Sequence, residues 1–157
     1  MAVFDKHAVQ IATASRADGL KSDEVLVVLR SELESLGFDV ERGKRAEDII
    51  DRPVFFGQNG EPELRYQIDA YHPGWRCGLE VEAGRAWMGN AVYRDLIQAM
   101  VMVGVDHLVL AVPTCYRYQS SGKPMQHNAY TSTIAVADAI YSHTRVQMPY
   151  GLTVIGY

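Results

Sequence analysis

Residues 65–82 read RYQIDAYHPGWRCGLEVE, two alternating runs on either side of a Pro-Gly turn. Alternation of period two around HPGW predicts an antiparallel ribbon, and the register of a ribbon determines which side chains share a face. Taken as an even-membered turn, HPGW pairs His72 with Trp75 or Tyr71 with Arg76; either choice sets Asp69 opposite Gly78, Gln67 opposite Glu80 and Arg65 opposite Glu82. Asp69, Glu80 and Glu82 then project from one side, and Tyr66, Ile68, Ala70, Cys77, Leu79 and Val81 form the apolar side.

In that register Asp69 and Glu80 are diagonal neighbours, about 7 Å apart at the backbone. Two carboxylates so close repel when both are ionised. A shared proton, a cation such as Arg65, or a divalent ion that prefers hard oxygen, Mg²⁺ or Mn²⁺, relieves the repulsion. Gly78 leaves room for such an ion, and Mg²⁺ held by carboxylates keeps positions for water and a substrate phosphate. The competing reading is a solvated strand face on which Arg65 neutralises Glu82.

Outward from the ribbon, residues 5–15 read as a short helix, and Ser22 or Asp23 as the cap of a better one, DEVLVVLRSELESLG, which Gly37 ends. Val25, Val28, Leu29, Leu33 and Leu36 share one face of that helix, with Glu32 in its middle. FDVER and VFFG read as strands, and the NG of GQNGEP as a hairpin signal before ELRYQIDAY. After the ribbon, Asn90 caps a helix through AVYRDLIQAMVMVG. HLVLAVP has the unbroken apolarity of a strand buried on both faces. A loop, CYRYQSSGKPMQHNAY, precedes a helix near YTSTIAVADAIYSH, and LTVIGY closes the chain as a strand. The predicted order is α-β-β-β-α-β-α-β, an α/β mixed sheet with helices on both faces.

The 157 residues have the length of one domain, with a core from about 22 to 157 and an N-terminal extension over 1–21. A formal net charge of −4 excludes a globally basic nucleic-acid binder, so any such contact must use a local patch. Cys77 and Cys115 are too few and too far apart for a zinc cluster or a disulfide framework. No apolar run reaches a membrane span, and MAVFDKHAVQ lacks a signal-peptide core, so the expected compartment is the cytoplasm. No phosphate-binding loop, dinucleotide turn or nucleophile elbow is present, which removes kinase, dehydrogenase and serine-hydrolase readings.

The element order, with Ile68-Asp69, ten intervening residues and then Glu80-Val81-Glu82, resembles the PD-(D/E)XK nuclease superfamily, the restriction-endonuclease-like fold. The resemblance covers residues from about 22 to the end. It implies a Mg²⁺-dependent endonuclease acting on DNA, restriction- or repair-type, with RNA as the other nucleic acid to consider and Mn²⁺ able to substitute. Cleavage of both strands implies a homodimer. By the resemblance Asp69 and Glu80 hold the metal, and Glu32 stands where family members carry a further acid on the first core helix. Glu82 occupies the position of the family's lysine, as in some restriction enzymes where a glutamate there positions or activates the attacking water, and Ile68 replaces the proline. Arg85, just past the third strand, and Arg94, which with Gln98 lies on the helix after the motif, are the cations expected at the scissile phosphate. The alternative is a catalytically inactive module of the same fold that binds nucleic acid or protein. His107, His127 and His143 have no ligand spacing and read as structural, and Trp75, Trp87, Tyr116 and Tyr118 read as packing residues before base-stacking ones.

Overall fold

A computed structural model describes residues 2–13, 19–84 and 90–157. Two helices, α1 (Ala2–Ile11) and α2 (Ser22–Ser35), precede a short strand β1 (Asp39–Val40). The cap of α2 is Lys21 instead of Ser22 or Asp23: the Glu24 carboxylate accepts the Lys21 backbone N–H at 2.7 Å, satisfying a donor at the start of the helix. Gly37 ends it with φ +94°, a left-handed conformation that costs a glycine little.

Strands β2 (Ile50–Phe56) and β3 (Pro62–Ile68) form a separate hairpin, followed by β4 (Ala70–His72) and β5 (Cys77–Val81). The single strand expected over ELRYQIDAY is therefore divided at Asp69. Then come α3 (Ala91–Val101), β6 (His107–Val112), a second hairpin of β7 (Tyr116–Ser120) and β8 (Lys123–His127), α4 (Ala129–Tyr141) and β9 (Gly151–Gly156). Asn128 caps α4 by accepting the Thr131 N–H at 2.9 Å. The segment expected as the loop CYRYQSSGKPMQHNAY thus contains a two-stranded ribbon.

The main sheet has the order β1-β4-β5-β6-β9, antiparallel through β5 and parallel from β5 to β9. Its two faces carry two apolar layers. Leu29 and Leu33 of α2, with residues of α1, pack on Leu79, Val81 and Ala111; Val92 and Leu96 of α3, with Val136 of α4, pack on Leu108, Leu110 and Val112. Alternate residues of β6 enter opposite layers, which is why HLVLAVP shows no polar alternation. Each fully buried leucine contributes about 2 kcal/mol through removal of apolar surface from water. These layers fix β4, β5 and α3 against one another, and the candidate site is built from their ends.

Candidate functional site

The pairs Ala70↔Leu79, Tyr71↔Gly78 and His72↔Cys77 leave Pro73 to Arg76 as a four-residue connection, with Arg76 at φ +51°. The register is therefore two residues away from the one that sets Asp69 opposite Gly78. A shift of two preserves the faces, so Asp69 and Glu80 still project together, but Asp69 now falls in line with Glu80. On the other side, Val40 pairs with Ala70, and the Glu41 N–H donates to the Asp69 carbonyl at 2.8 Å. Glu41, Asp69 and Glu80 thus lie side by side at the ends of three adjacent strands, which run about 4.8 Å apart.

Asp69 occupies the break between β3 and β4, and its carboxylate accepts the Val81 N–H at 2.8 Å. The break also corrects the expected apolar face. Ala70, Cys77, Leu79 and Val81 enter the α1/α2 layer, whereas Ile68 and Tyr66 enter the α3/α4 layer. Gln67 and Arg65 face β2 instead of β5, and Arg65 pairs with Asp51 at 2.7 Å, so it does not neutralise Glu82.

From α3 comes a carboxylate absent from the sequence-based expectation, Asp95, which is 2 % exposed. Arg94 donates to its Oδ1 at 3.0 Å and to Glu82 Oε1 at 3.0 Å, while Asp95 Oδ2 is buried with no hydrogen-bond partner among the described residues. Glu41 is likewise buried and pairs with Lys44, whose Nζ lies 2.5 Å from its Oε1 and 3.8 Å from Asp23. Among the described residues, Asp69 and Glu80 have no ion-pair partner at all. These groups line one cavity of about 490 Å³, which also receives Gln98; its wall has six carboxylates against three cations, so full ionisation would leave it strongly negative.

Burial raises the acids, and the charge imbalance adds to it at Asp69, Glu80 and Glu82. Burial holds the Asp69 carboxyl up at about 6, assisted by the Glu41 and Asp95 charges and opposed by the Val81 N–H. Glu80 is pushed well above the carboxylate range, first by burial and then by Asp69, Asp95 and Glu82. Glu82 is raised to about 8 by burial and then by Asp95. Burial also raises Asp95, against the opposing effects of the adjoining Glu82 carboxyl and of Arg94.

Glu32 does not reach this cavity. It pairs with Lys6, which α1 lays over that face of α2, and the pairing holds its carboxyl below the usual range. Glu41 and Asp95 stand in its place. Arg94 and Gln98 are brought in as expected, and Arg85 and Trp87 lie outside the described residues. His72 is structural: its ring stacks on Trp75 at 4.0 Å and its Nε2 lies 3.0 Å from the Leu36 carbonyl. His107 is engaged with Thr153 across β6 and β9, as its reading as a structural residue requires.

A hard divalent cation fits the donor set. Every uncompensated group is a carboxylate oxygen, and Asp95 Oδ2 is a buried acceptor lacking a donor. No three acid, thiol or imidazole groups among the described residues form a finished cage. The requirement for Mg²⁺ is smaller, since it keeps several waters and needs only one or two protein carboxylates. Comparison with known proteins returns no matching family model, no matching curated protein and no matching solved structure.

Proposed function

We propose that the chain is a Mg²⁺-dependent endodeoxyribonuclease of the PD-(D/E)XK, restriction-endonuclease-like kind, with Mn²⁺ as a working substitute. The observation that carries this reading is the pair Asp69 and Glu80: adjacent, set in a cavity, and in no ion pair among the described residues. The half-antiparallel, half-parallel sheet supports the same reading, because it sets the acids at the end where strands and α3 meet.

Asp69 and Glu80 would hold the metal, in a cavity that Asp95 also lines. When bound, Mg²⁺ supplies charge stabilisation at the phosphate and acidifies water. Hydrolysis joins a water oxygen to phosphorus, breaks a phosphorus–oxygen ester bond and releases one proton. Glu82, which lines the same cavity, would orient that water and accept the proton, a role that requires the ionised form of a carboxyl raised to about 8 chiefly by burial. Arg94 is a positioning residue for Glu82 and Asp95, which it holds through Nη2 and Nε. Lys44, from the loop after β1, is the ammonium that reaches the carboxylate row in a chain whose motif position 82 has no lysine. One chain offers one such site, so cleavage of both strands calls for two copies.

The test is relaxation of supercoiled plasmid in Mg²⁺ or Mn²⁺ by wild type, Asp69→Ala, Glu80→Ala and Glu32→Gln prepared alike. Wild type and Glu32→Gln should nick or linearise the DNA, and the other two should not. Cleavage by none of the four, or by all equally, refutes this site and favours the inactive module that binds nucleic acid or protein.

A further inference from the structure

The chain's charge is divided unevenly. Residues 1–106 carry 12 basic and 18 acidic side chains, whereas 107–157 carry three basic ones, Arg117, Lys123 and Arg145, against the single acid Asp138. Two of those three cations lie on the β7–β8 ribbon, within an acid-free run from 107 to 137. In a chain of net charge −4 the β7–β8 ribbon is therefore a cationic, acid-free element.

The ribbon is regular. Its strands pair from Tyr116↔His127 to Ser120↔Lys123, and Ser121 and Gly122, at φ +52° and +74°, make the two-residue turn that suits the twist of paired strands. Directly paired residues share a face. One face carries Arg117, Gln119 and Gln126, all exposed; the other carries Tyr116, Tyr118, Met125 and Lys123.

Its base is fixed at the rim of the carboxylate cavity. The Gly19 N–H donates to the Arg117 carbonyl at 3.1 Å, three residues before the cavity-lining Ser22. The Tyr116 ring lies flush on Gly84, two residues past Glu82, so close that a Cβ there would fall 1.7 Å from the ring. Tyr157 ties the two together, donating its hydroxyl to the Glu82 carbonyl at 2.8 Å and accepting the Thr114 N–H at 2.6 Å.

We propose that the β7–β8 ribbon is the element that reads duplex DNA, its Arg117, Gln119 and Gln126 face entering the major groove beside the carboxylate cavity. The assignment rests on the nuclease reading for its substrate. Five residues per strand span about 17 Å, and the major groove, about 12 Å wide and 8.5 Å deep, admits a two-stranded ribbon. Arginine and glutamine are the side chains that make paired hydrogen bonds to guanine and adenine edges there. Phosphates flanking the groove complement the ribbon's cations, and no ribbon carboxylate repels them. The deep, narrow major groove of an RNA duplex does not admit this face.

The test measures fluorescence anisotropy of a short labelled DNA duplex with Ca²⁺ replacing Mg²⁺ to prevent turnover. In parallel it measures hydrolysis of bis(p-nitrophenyl) phosphate, which needs the cavity but no groove. Combined Arg117→Ala, Gln119→Ala and Gln126→Ala should weaken duplex binding at least about 30-fold, given that each such contact discriminates by about tenfold or more. Diester hydrolysis should stay at the wild-type rate, and Tyr118→Ala on the opposite face should leave duplex affinity unchanged. Wild type should bind an RNA duplex far more weakly than the DNA duplex. Should the triple variant not fold, Arg117→Gln alone is read in the same way at about tenfold. Duplex affinity within twofold of wild type, equal loss of diester hydrolysis, or preference for RNA overturns the proposal. Ribbon variants that bind like wild type in a protein that cleaves plasmid sink the ribbon and leave the nuclease standing. A wild type that hydrolyses neither substrate sinks the nuclease, while ribbon-dependent duplex binding would still uphold the ribbon.

Discussion

Asp69→Asn in the metal-free protein should stabilise the fold while destroying its site. Burial and the Glu41 and Asp95 charges hold the Asp69 carboxyl at about 6 instead of the ordinary 3.8. The native state therefore binds a proton that the unfolded chain has released, and this contribution is complete below about pH 4 and lost as pH rises through 6. At about 1.4 kcal/mol per tenfold change, ionised Asp69 costs the native state about 3 kcal/mol at pH 8. Asparagine keeps an acceptor for the Val81 N–H and removes the charge. In EDTA at pH 8 the variant should melt about 6–12 °C above wild type, and the gap should close toward pH 4. Mn²⁺ should then raise the wild-type midpoint and leave the variant's in place. Calorimetry across pH 4 to 8 is the assay. A variant less stable than wild type by the same amount at every pH would refute the reasoning, because Asp69 would then act as a hydrogen-bonded structural residue and not as a repelled charge.

Arg94→Ala deprives Glu82 and the buried Asp95 of their cation and should cost about 2 kcal/mol at pH 8, with less lost at pH 5 where Glu82, raised to about 8, holds a proton; urea unfolding at both pH values measures it. Leu96→Ala, at a fully buried position one residue beyond Asp95, should cost about 2–5 kcal/mol through the cavity it leaves, read as a fall in urea midpoint.

Much of the site was legible because strand parity survives errors of register. Reading HPGW as the turn fixed Asp69 and Glu80 on one face, and the true connection of four residues, Pro73 to Arg76, shifts the register by two and keeps that face. The break at Asp69 was not legible, since nothing in RYQIDAY marks where a strand changes partners from β2 to β5. Glu32 lies away from the cavity because α2 is turned so that Leu26 joins Val25, Leu29 and Leu33 in the core while Leu36 is exposed, which leaves Glu32 partly exposed and paired with Lys6 of α1. The same criterion applied to α3 finds Asp95 within the buried stripe of Val92, Leu96 and Ala99. Glu41 needed the β1–β4 register, which no turn encodes, because β1 and β4 are far apart in sequence. The β7–β8 ribbon had a signal in YRYQSSGKPMQH, alternation around a Ser-Gly turn, hidden by its polar composition.

The central claim is that Asp69 and Glu80 make a site for a hard divalent cation, and electron paramagnetic resonance of a Mn²⁺ titration tests it directly. One ion should bind per wild-type chain and per Glu32→Gln chain, and none at that affinity to Asp69→Ala or Glu80→Gln. Mn²⁺ that binds no variant, or binds Asp69→Ala as it binds wild type, would contradict it.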